Sequence, residues 1–474
     1  MSGIDTTGQI GVIGAGTMGA GIAQLAAAAG HEVLLYDAVG GAADTGRARV
    51  AEGLEKLVSR GKMTAEAVEA LVGRIRVAAD LSDFRGVALV VEAIVEKLEV
   101  KRAVFAELEG IVGPEAILAS NTSSISVTSI ARDLEHPERV VGMHFFNPAP
   151  IMKLVEVISG VATAPGVAQR VFDTAEAWGK VAVHAKSTPG FIVNRVARPY
   201  YAEALRLLEE QVADPATLDA LLTEGGGFRM GPFTLMDLIG HDVNYAVSQS
   251  VFDAYYQEPR FRPSQIQLEL VNAGRLGRKS GRGFYDYGTG AEAPAPRTET
   301  AEGTGAEGFA LGEPGEIDGV RILPSDGRRA RAVATAEGAP AIVHDLIVPG
   351  ETTRLGFAAS PDVPEAAIAR FVATLAAQGI AATHLPDWPG LVVLRTVAML
   401  ANEGFEAVMQ GVADAGAVDA AMRHGVNYPR GPIGWAREIG LGRVVATLDH
   451  IHALTGDPRY RASLALRIAA EDAA

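Results

Sequence analysis

Two ionisable residues stand in apolar, strand-like runs: His144 near the end of Val140–Phe146, and Glu156 within Leu154–Ile158. Such runs keep a charged group only when it is paired or working. Between the two runs lies Asn147-Pro148-Ala149-Pro150. A reversal of the chain near Pro150 would leave His144 and Glu156 six positions to either side, facing each other. A carboxylate against one imidazole nitrogen fixes the tautomer and favours charge on the ring, which leaves the other nitrogen to take a proton. A satisfied structural pair would use the same two residues, so the rest of the chain must decide between a base and a brace.

The chemistry open to such a base is indicated by a second motif. Gly14-Ala15-Gly16-Thr17-Met18-Gly19 follows the β-branched run Gln9–Ile13 and opens an alanine-rich helix, Ala20–Ala29, that Gly30 closes. A second strand, His31–Tyr36, then ends at Asp37, 18 positions after Gly19. A strand, glycine turn and helix followed by an acidic residue at that spacing predict a dinucleotide site. Gly14 allows the tight turn, Gly16 admits a pyrophosphate and Gly19 lets the helix pack on the sheet, while Thr17 and Met18 bring helix N–H groups to the phosphates. Asp37 would accept hydrogen bonds from the adenine ribose. Ala38-Val39-Gly40-Gly41 offers no cation for a 2′-phosphate, so NAD is expected rather than NADP. Beside a nicotinamide ring, a histidine base removes a hydroxyl proton while hydride leaves the carbon.

Further strands are expected at Val87–Val91 and Ala116–Ala119, with Ser120-Asn121-Thr122-Ser123-Ser124 directly after the latter. Ligands sit outside the carboxyl ends of strands in such sheets, although five small polar residues could equally cap a helix. The fold class expected is an α/β Rossmann-like NAD domain followed by an all-α domain.

The bulk composition agrees. The 474 residues are 48% hydrophobic and 21% charged, enough for two to four globular domains. A net charge of −15 opposes binding to nucleic acid or an anionic membrane. There is no cysteine, so disulfides and thiolate chemistry are absent, in keeping with a cytoplasmic protein. Gln9–Gly30 is apolar, but it contains six glycines and no Lys or Arg precedes it, which fits neither a membrane helix nor a signal peptide. No HExxH pattern or carboxylate cluster suggests a metal.

Across residues 8–290, GVIGAGTMGAGIA, VEAIVEKLEVK, SNTSSIS, GMHFFNPAPIMKLVEV, STPGFIVNR and GRLGRKSGRGFYDY resemble the L-3-hydroxyacyl-CoA dehydrogenase family. The resemblance implies NAD-dependent oxidation of a 3-hydroxyacyl-CoA to the 3-oxoacyl-CoA. It implies His144 as catalytic base, Glu156 as its orienting partner, and Ser123 and Asn194 as groups that hydrogen-bond the reacting part of the substrate. Glu96, Lys101, Asn121, Ser123, Asn147 and Lys279 fall where the family contacts the nicotinamide end of the cofactor. The stretch Leu54–Lys62, expected as a helix, offers Lys56, Arg60 and Lys62 as a basic patch for coenzyme A, or simply as a solvated face. Arg60 stands where the family has a coenzyme-contacting lysine, and Gly53 where relatives carry a serine.

The chain then repeats itself. TPGFIVNRVARPYYAEALRLLEE resembles WPGLVVLRTVAMLANEGFEAVMQ: Pro189 pairs with Pro389, Asp219 with Asp419 and Gly231-Pro232 with Gly431-Pro432, at a constant offset of 200 positions. Leu394 replaces Asn194 and no second glycine fingerprint precedes this copy, so it is expected to have lost the chemistry. The expected layout is an NAD domain over 1–188, helical copy 1 over 189–287, a Gly/Ala/Pro/Glu linker over 288–308, a small α/β spacer over 309–387 and helical copy 2 over 388–474. His344 and His384 of the spacer are read as surface or structural residues. The second copy could take the place of a partner subunit, forming an internal pseudo-dimer, with further homo-oligomerisation open.

With VVLRTVAML and HGVNYPRGPIGWA, this layout is most similar to the family members of phenylacetate catabolism that act on 3-hydroxyadipyl-CoA or 3-hydroxybutyryl-CoA. Eight residues precede the first strand, so a hydratase module of a multifunctional β-oxidation subunit is not expected. The alternatives are a sugar-acid or other 3-hydroxy acid dehydrogenase of the same superfamily, and a catalytically silent, cofactor-binding structural protein.

Overall fold

A computed structural model describes residues 2–301, 303–306 and 310–473. Glu302, Glu307 and Gly308 of the expected linker, Phe309 at the start of the expected spacer, and the chain ends Met1 and Ala474 lie outside the described residues. The chain divides into two compact units. One runs to Asn194 and takes in Gly411–Val426; the other holds Arg195–Gln410 and the residues from Asn427 on.

The first unit is built on eight strands: β1 (Gln9–Ile13), β2 (Val33–Tyr36), β3 (Ile75–Val77), β4 (Val87–Glu92), β5 (Ile117–Ser120), β6 (Val140–Phe145), β7 (Leu154–Ser159) and β8 (Val181–Lys186). They lie in the order β3-β2-β1-β4-β5-β6-β7-β8, all neighbours parallel except β6 and β7. Near-continuous Val/Ile/Leu strands suit a sheet buried on both faces. Apolar residues of the helices Thr17–Ala28, Ala42–Val58, Ala65–Gly73 and Pro165–Ala177 share one core cluster with this sheet. The first helix begins at Thr17 rather than Ala20, with Gly16 as its cap. The second strand begins at Val33 rather than His31.

The second unit carries five strands: β9 (Gly315–Ile317), β10 (Val320–Pro324), β11 (Ala341–His344), β12 (Arg354–Ala359) and β13 (Ala381–His384). The region expected as a small α/β spacer repeats the strand pattern of half of the first sheet. β10–β13 run parallel, antiparallel, parallel, the pattern of β5–β8. β12 begins 200 positions after β7, and the helix Glu365–Ala377 ends 200 positions after Pro165–Ala177. The offset of 200 therefore extends upstream of Pro389. In place of a nucleotide-binding half, β9 forms an antiparallel edge. Neither histidine is a surface residue: His344 is fully buried, and His384 is half-buried with its ring stacked on Phe357 at 4.8 Å.

Both units use the offset in their packing. Gly425 fits so tightly against β7 that an added Cβ would lie 2.6 Å from Leu154, and Gly225 would meet the Arg354 carbonyl of β12 at 2.9 Å. In the second unit the Arg195 Nε donates to Glu403 at 2.6 Å and the Arg395 Nε to Glu203 at 2.8 Å. Arg195 Nη1 reaches Gln410 at 2.9 Å and Arg395 Nη1 reaches Glu210 at 2.7 Å. Each contact is its counterpart with the two copies exchanged.

Candidate active site

The antiparallel register of β6 on β7 places His144 directly opposite Glu156. The side chains meet at 2.6 Å between Nδ1 and Oε2, and both residues are buried. The other Glu156 oxygen accepts the backbone N–H groups of Ile192 and Val193, each at 3.0 Å. These begin the short helix Val193–Val196 that carries Asn194. With its carboxylate engaged on both oxygens, Glu156 requires that His144 Nδ1 carry the proton, which leaves Nε2 as the acceptor. Phe146 and Phe191 flank the imidazole at 4.5 and 5.8 Å between ring centres. Phe191 holds a left-handed φ of 48° just after Gly190 at 75°.

The loop after β5 is tied down by a second carboxylate. One oxygen of Glu96 accepts from Thr122 Oγ1 at 2.7 Å, from the N–H groups of Ser123 and Ser124 at 2.9 and 3.0 Å, and from Ser124 Oγ at 3.0 Å. Burial works to raise the Glu96 carboxyl, but the Thr122 hydroxyl, Lys101 and the Ser123 N–H together hold it below its ordinary value. The Asn194 amide donates to the Ser123 carbonyl at 3.2 Å, so the helix start and the serine loop meet. Asn121 Oδ1 accepts the N–H of Phe145 at 2.8 Å, joining that loop to the strand of His144.

Glu92 is not among the expected site residues, yet it anchors this network. Fully buried, it accepts from Lys101 Nζ and Ser120 Oγ, each at 2.7 Å, and Lys101 reaches on to Glu96 at 3.2 Å. The available signal was an acidic residue closing the apolar run of β4, the same anomaly that marks His144 and Glu156.

The dinucleotide loop leaves room where a cofactor needs it. A Cβ added to Gly16 meets nothing within 4 Å, whereas one on Gly19 would sit 1.7 Å from the Gly14 carbonyl. Gly14 itself has φ 96°. Asp37 accepts the N–H groups of Ala15 at 2.7 Å and Val39 at 2.9 Å, so it shapes the loop as well as offering oxygens to a ribose. The next cation along the chain, Arg47, is engaged by the Ile75 and Val72 carbonyls. Thr17 and Met18 form the first turn of the helix, whose cap has no side-chain bond and leaves N–H donors available.

The remaining predicted site residues are dispersed. Asn147 is exposed in the loop after β6. Lys279 belongs to the second unit, where it pairs with Asp242 at 2.7 Å. Lys56, Arg60 and Lys62 are exposed, but the helix expected through Lys62 ends at Val58, because Gly61 adopts φ 67° and the N–H groups of Gly61 and Lys62 fold back onto Val58 and Leu57. At Gly53 an added Cβ meets nothing within 4 Å, so space does not forbid the relatives' serine.

Comparison with known proteins agrees with this geometry. Residues 9–188 match the family model of the 3-hydroxyacyl-CoA dehydrogenase NAD binding domain. Residues 190–287 and 390–473 both match the C-terminal domain of the same family. Over 460 residues the chain is 45% identical to the 3-hydroxyadipyl-CoA dehydrogenase of Escherichia coli, covering 97% of this chain and 96% of that one. The chain belongs to the 3-hydroxyacyl-CoA dehydrogenase family. Its enzyme class, an NAD-dependent dehydrogenase, and its cofactor follow from that membership. A probable 3-hydroxybutyryl-CoA dehydrogenase of Deinococcus radiodurans is 44% identical over 279 residues, 59% of this chain and all of that one. The crystal structure of a 3-hydroxybutyryl-CoA dehydrogenase from E. coli superimposes with a TM-score of 0.92 at 44% identity over 99% of both chains. Residues 322–389 match the family's reduced Rossmann-fold domain, in agreement with the half-sheet of β10–β13.

That reduced domain shows what becomes of the dyad. His344 stands 200 positions after His144, but Gly356 stands where Glu156 would be. The His344 Nδ1 lies 2.8 Å from the Asp345 backbone carbonyl, and burial pushes the ring down to about 4. Among the described residues, no group of three or more His, Asp or Glu is set to hold a metal ion, and no helix is long and apolar enough to cross a membrane.

Two of the three glycines of the cofactor loop, Gly16 and Gly19, should separate binding from folding. Gly16→Val is expected to leave thermal stability unchanged while NAD affinity, measured by calorimetry, falls at least about tenfold, because charge-assisted hydrogen bonds worth roughly 1.5–3 kcal/mol each are forfeited. Gly19→Ala should instead destabilise the first unit by about 1–3 kcal/mol or more in a denaturant melt, through overpacking.

Proposed function

We propose that this enzyme oxidises the 3-hydroxyl of an (S)-3-hydroxyacyl-CoA to the 3-oxo group, with His144 as general base. The observation that carries the reading is the His144–Glu156 contact at 2.6 Å, with Nε2 left to accept a proton. NAD, when bound, supplies the hydride acceptor. His144 Nε2 takes the hydroxyl proton as the C3 hydride departs. Glu156 keeps Nδ1 protonated and stabilises the imidazolium that results. Ser123 and Asn194, joined at 3.2 Å, orient the hydroxyl and thioester, positioning that can supply several kcal/mol of barrier lowering. Gly14, Gly16, Thr17, Met18, Gly19 and Asp37 hold the adenosine and pyrophosphate half of the cofactor. Glu96, Lys101, Asn121, Ser123 and Asn147 serve the nicotinamide half. Lys56, Arg60 and Lys62 bind the coenzyme A phosphates.

The helical repeats form an internal pseudo-dimer. Its support is the exchange of contacts at the offset of 200: Arg195 to Glu403 against Arg395 to Glu203. A two-fold interface has that self-complementary form. The physiological setting proposed is cytoplasmic fatty-acid or phenylacetate degradation, because the relative matched over 97% of this chain is a 3-hydroxyadipyl-CoA dehydrogenase.

His144→Ala should lower turnover by at least about two orders of magnitude while NAD still binds; near-normal turnover would defeat the assignment. Initial rates followed as NADH absorbance should give a higher kcat/KM with 3-hydroxyadipyl-CoA than with 3-hydroxybutyryl-CoA, and the reverse order would remove the link to phenylacetate. Residues 1–290 expressed alone should dimerise or aggregate, since Arg195 then lacks Glu403. A stable, fully active monomer in light scattering would count against the pseudo-dimer.

A further inference from the structure

The helices of the second unit line a cavity of about 510 Å³ whose wall carries five arginines: Arg198, Arg206, Arg260, Arg262 and Arg459. Arg198, Arg260 and Arg459 are buried, and Arg262 is exposed. The Nε–H groups of Arg198, Arg206, Arg260 and Arg459 are all buried without a hydrogen-bond partner. Three of these side chains are neutralised elsewhere. Arg206 and Arg459 share Asp457 at 3.0 and 3.5 Å, and Arg260 lies 3.4 Å from Glu403 and 3.7 Å from Glu406.

Arg198 has no such relief. Its Nη1 donates to the Ser248 hydroxyl at 3.1 Å and its charge lies 4.8 Å from the centre of the Tyr201 ring, but no carboxylate among the described residues lies within ion-pair distance. Burial lowers its pKa, opposed only by the neighbouring tyrosines Tyr201 and Tyr428. A buried charge of this kind is costly unless something compensates it. The fold does not demand it: at the offset of 200, Ala398 replaces Arg198 and Glu406 replaces Arg206. Glu209 and Asp253 also line the cavity, so the wall favours a ligand charged strongly enough to prevail over them.

We propose that this cavity binds a small phosphate-bearing molecule, whose charge compensates the guanidinium of Arg198 from the cavity side, with the exposed Arg262 as its second cationic partner. A phosphoryl group presents three acceptor oxygens and nearly two charges, and it suits planar guanidinium forks better than a carboxylate with two oxygens and one charge.

The test is calorimetric titration of inorganic pyrophosphate into the full chain saturated with NAD, so that the glycine loop cannot take the probe. Besides binding at Lys56, Arg60 and Lys62, one further site per chain is expected, weakened at least about tenfold by Arg198→Gln and several-fold by Arg262→Gln, as loss of charge-assisted bonds requires. Arg262 is exposed, so its variant remains informative if Arg198→Gln fails to fold. Absence of binding, or equal affinity in wild type and Arg262→Gln with Arg198→Gln either equal or unfolded, would overturn the proposal. Citrate titrated in parallel should bind at least about tenfold more weakly; equal affinity for citrate would overturn the phosphate assignment.

Discussion

A carboxylate buried beneath the start of a helix holds the first unit's chemistry in place. Glu156 is wholly inaccessible, a position that would be prohibitive for a bare charge. It is tolerated because three donors satisfy it: His144 Nδ1 and the N–H groups of Ile192 and Val193. Charge-assisted bonds of this kind contribute roughly 1.5–3 kcal/mol each. Together they exceed the cost of about 1–3 kcal/mol for holding Phe191 at φ 48°. One side chain thus fixes a strand, a strained turn and the orientation of an imidazole. Asn194 and the loop it touches then follow from where that turn ends.

The reduced domain keeps one part of this arrangement and lacks the other. There the helix start is capped by Asp345, which accepts the N–H groups of Val392, Val393 and Leu394 as well as that of Leu346. Leu391 repeats the left-handed turn at φ 53°. The cap has been kept and the carboxylate has moved from a strand to the residue after β11, while at Gly356 the space is taken by leucines: an added Cβ would lie 3.0 Å from Leu385 and 3.2 Å from Leu221. His344 is left with only a backbone carbonyl as partner. A carbonyl can fix a tautomer, but it cannot stabilise the imidazolium as a carboxylate does, and burial makes protonation harder still. Leu394 stands in place of Asn194, so this copy has neither the carboxylate partner of the histidine nor that amide.

How much of this was legible in the sequence depended on whether the signal was local. The glycine turn with Asp37, and the facing of His144 and Glu156 across a proline corner, are encoded in short spacings along the chain. The partnership of Glu92, Lys101 and Ser120 was not, because it depends on β4 and β5 being neighbours in the sheet. The kinship of β10–β13 to β5–β8 also escaped notice, since it resides in register and burial while the polar residues that announce function have changed. At the basic patch, Leu54–Lys62 read as one continuous helix. A single left-handed residue, Gly61, overrides that pattern.

The paired arginines explain why two similar copies in one chain settle on a single arrangement. A buried ion pair contributes little net stability compared with an apolar contact of the same volume, since desolvation offsets most of the Coulombic gain. Its strength is discrimination, because a misregistered copy would bury Arg195 or Arg395 without a carboxylate, at a cost of about 3–5 kcal/mol. The two sets are also unequal. Arg395 meets Glu203, a bidentate Glu210 and the Tyr460 hydroxyl, whereas Arg195 meets Glu403, Gln410 and the face of Tyr255. That inequality tells the copies apart, so only one assignment of the two copies gives each guanidinium its full set of partners.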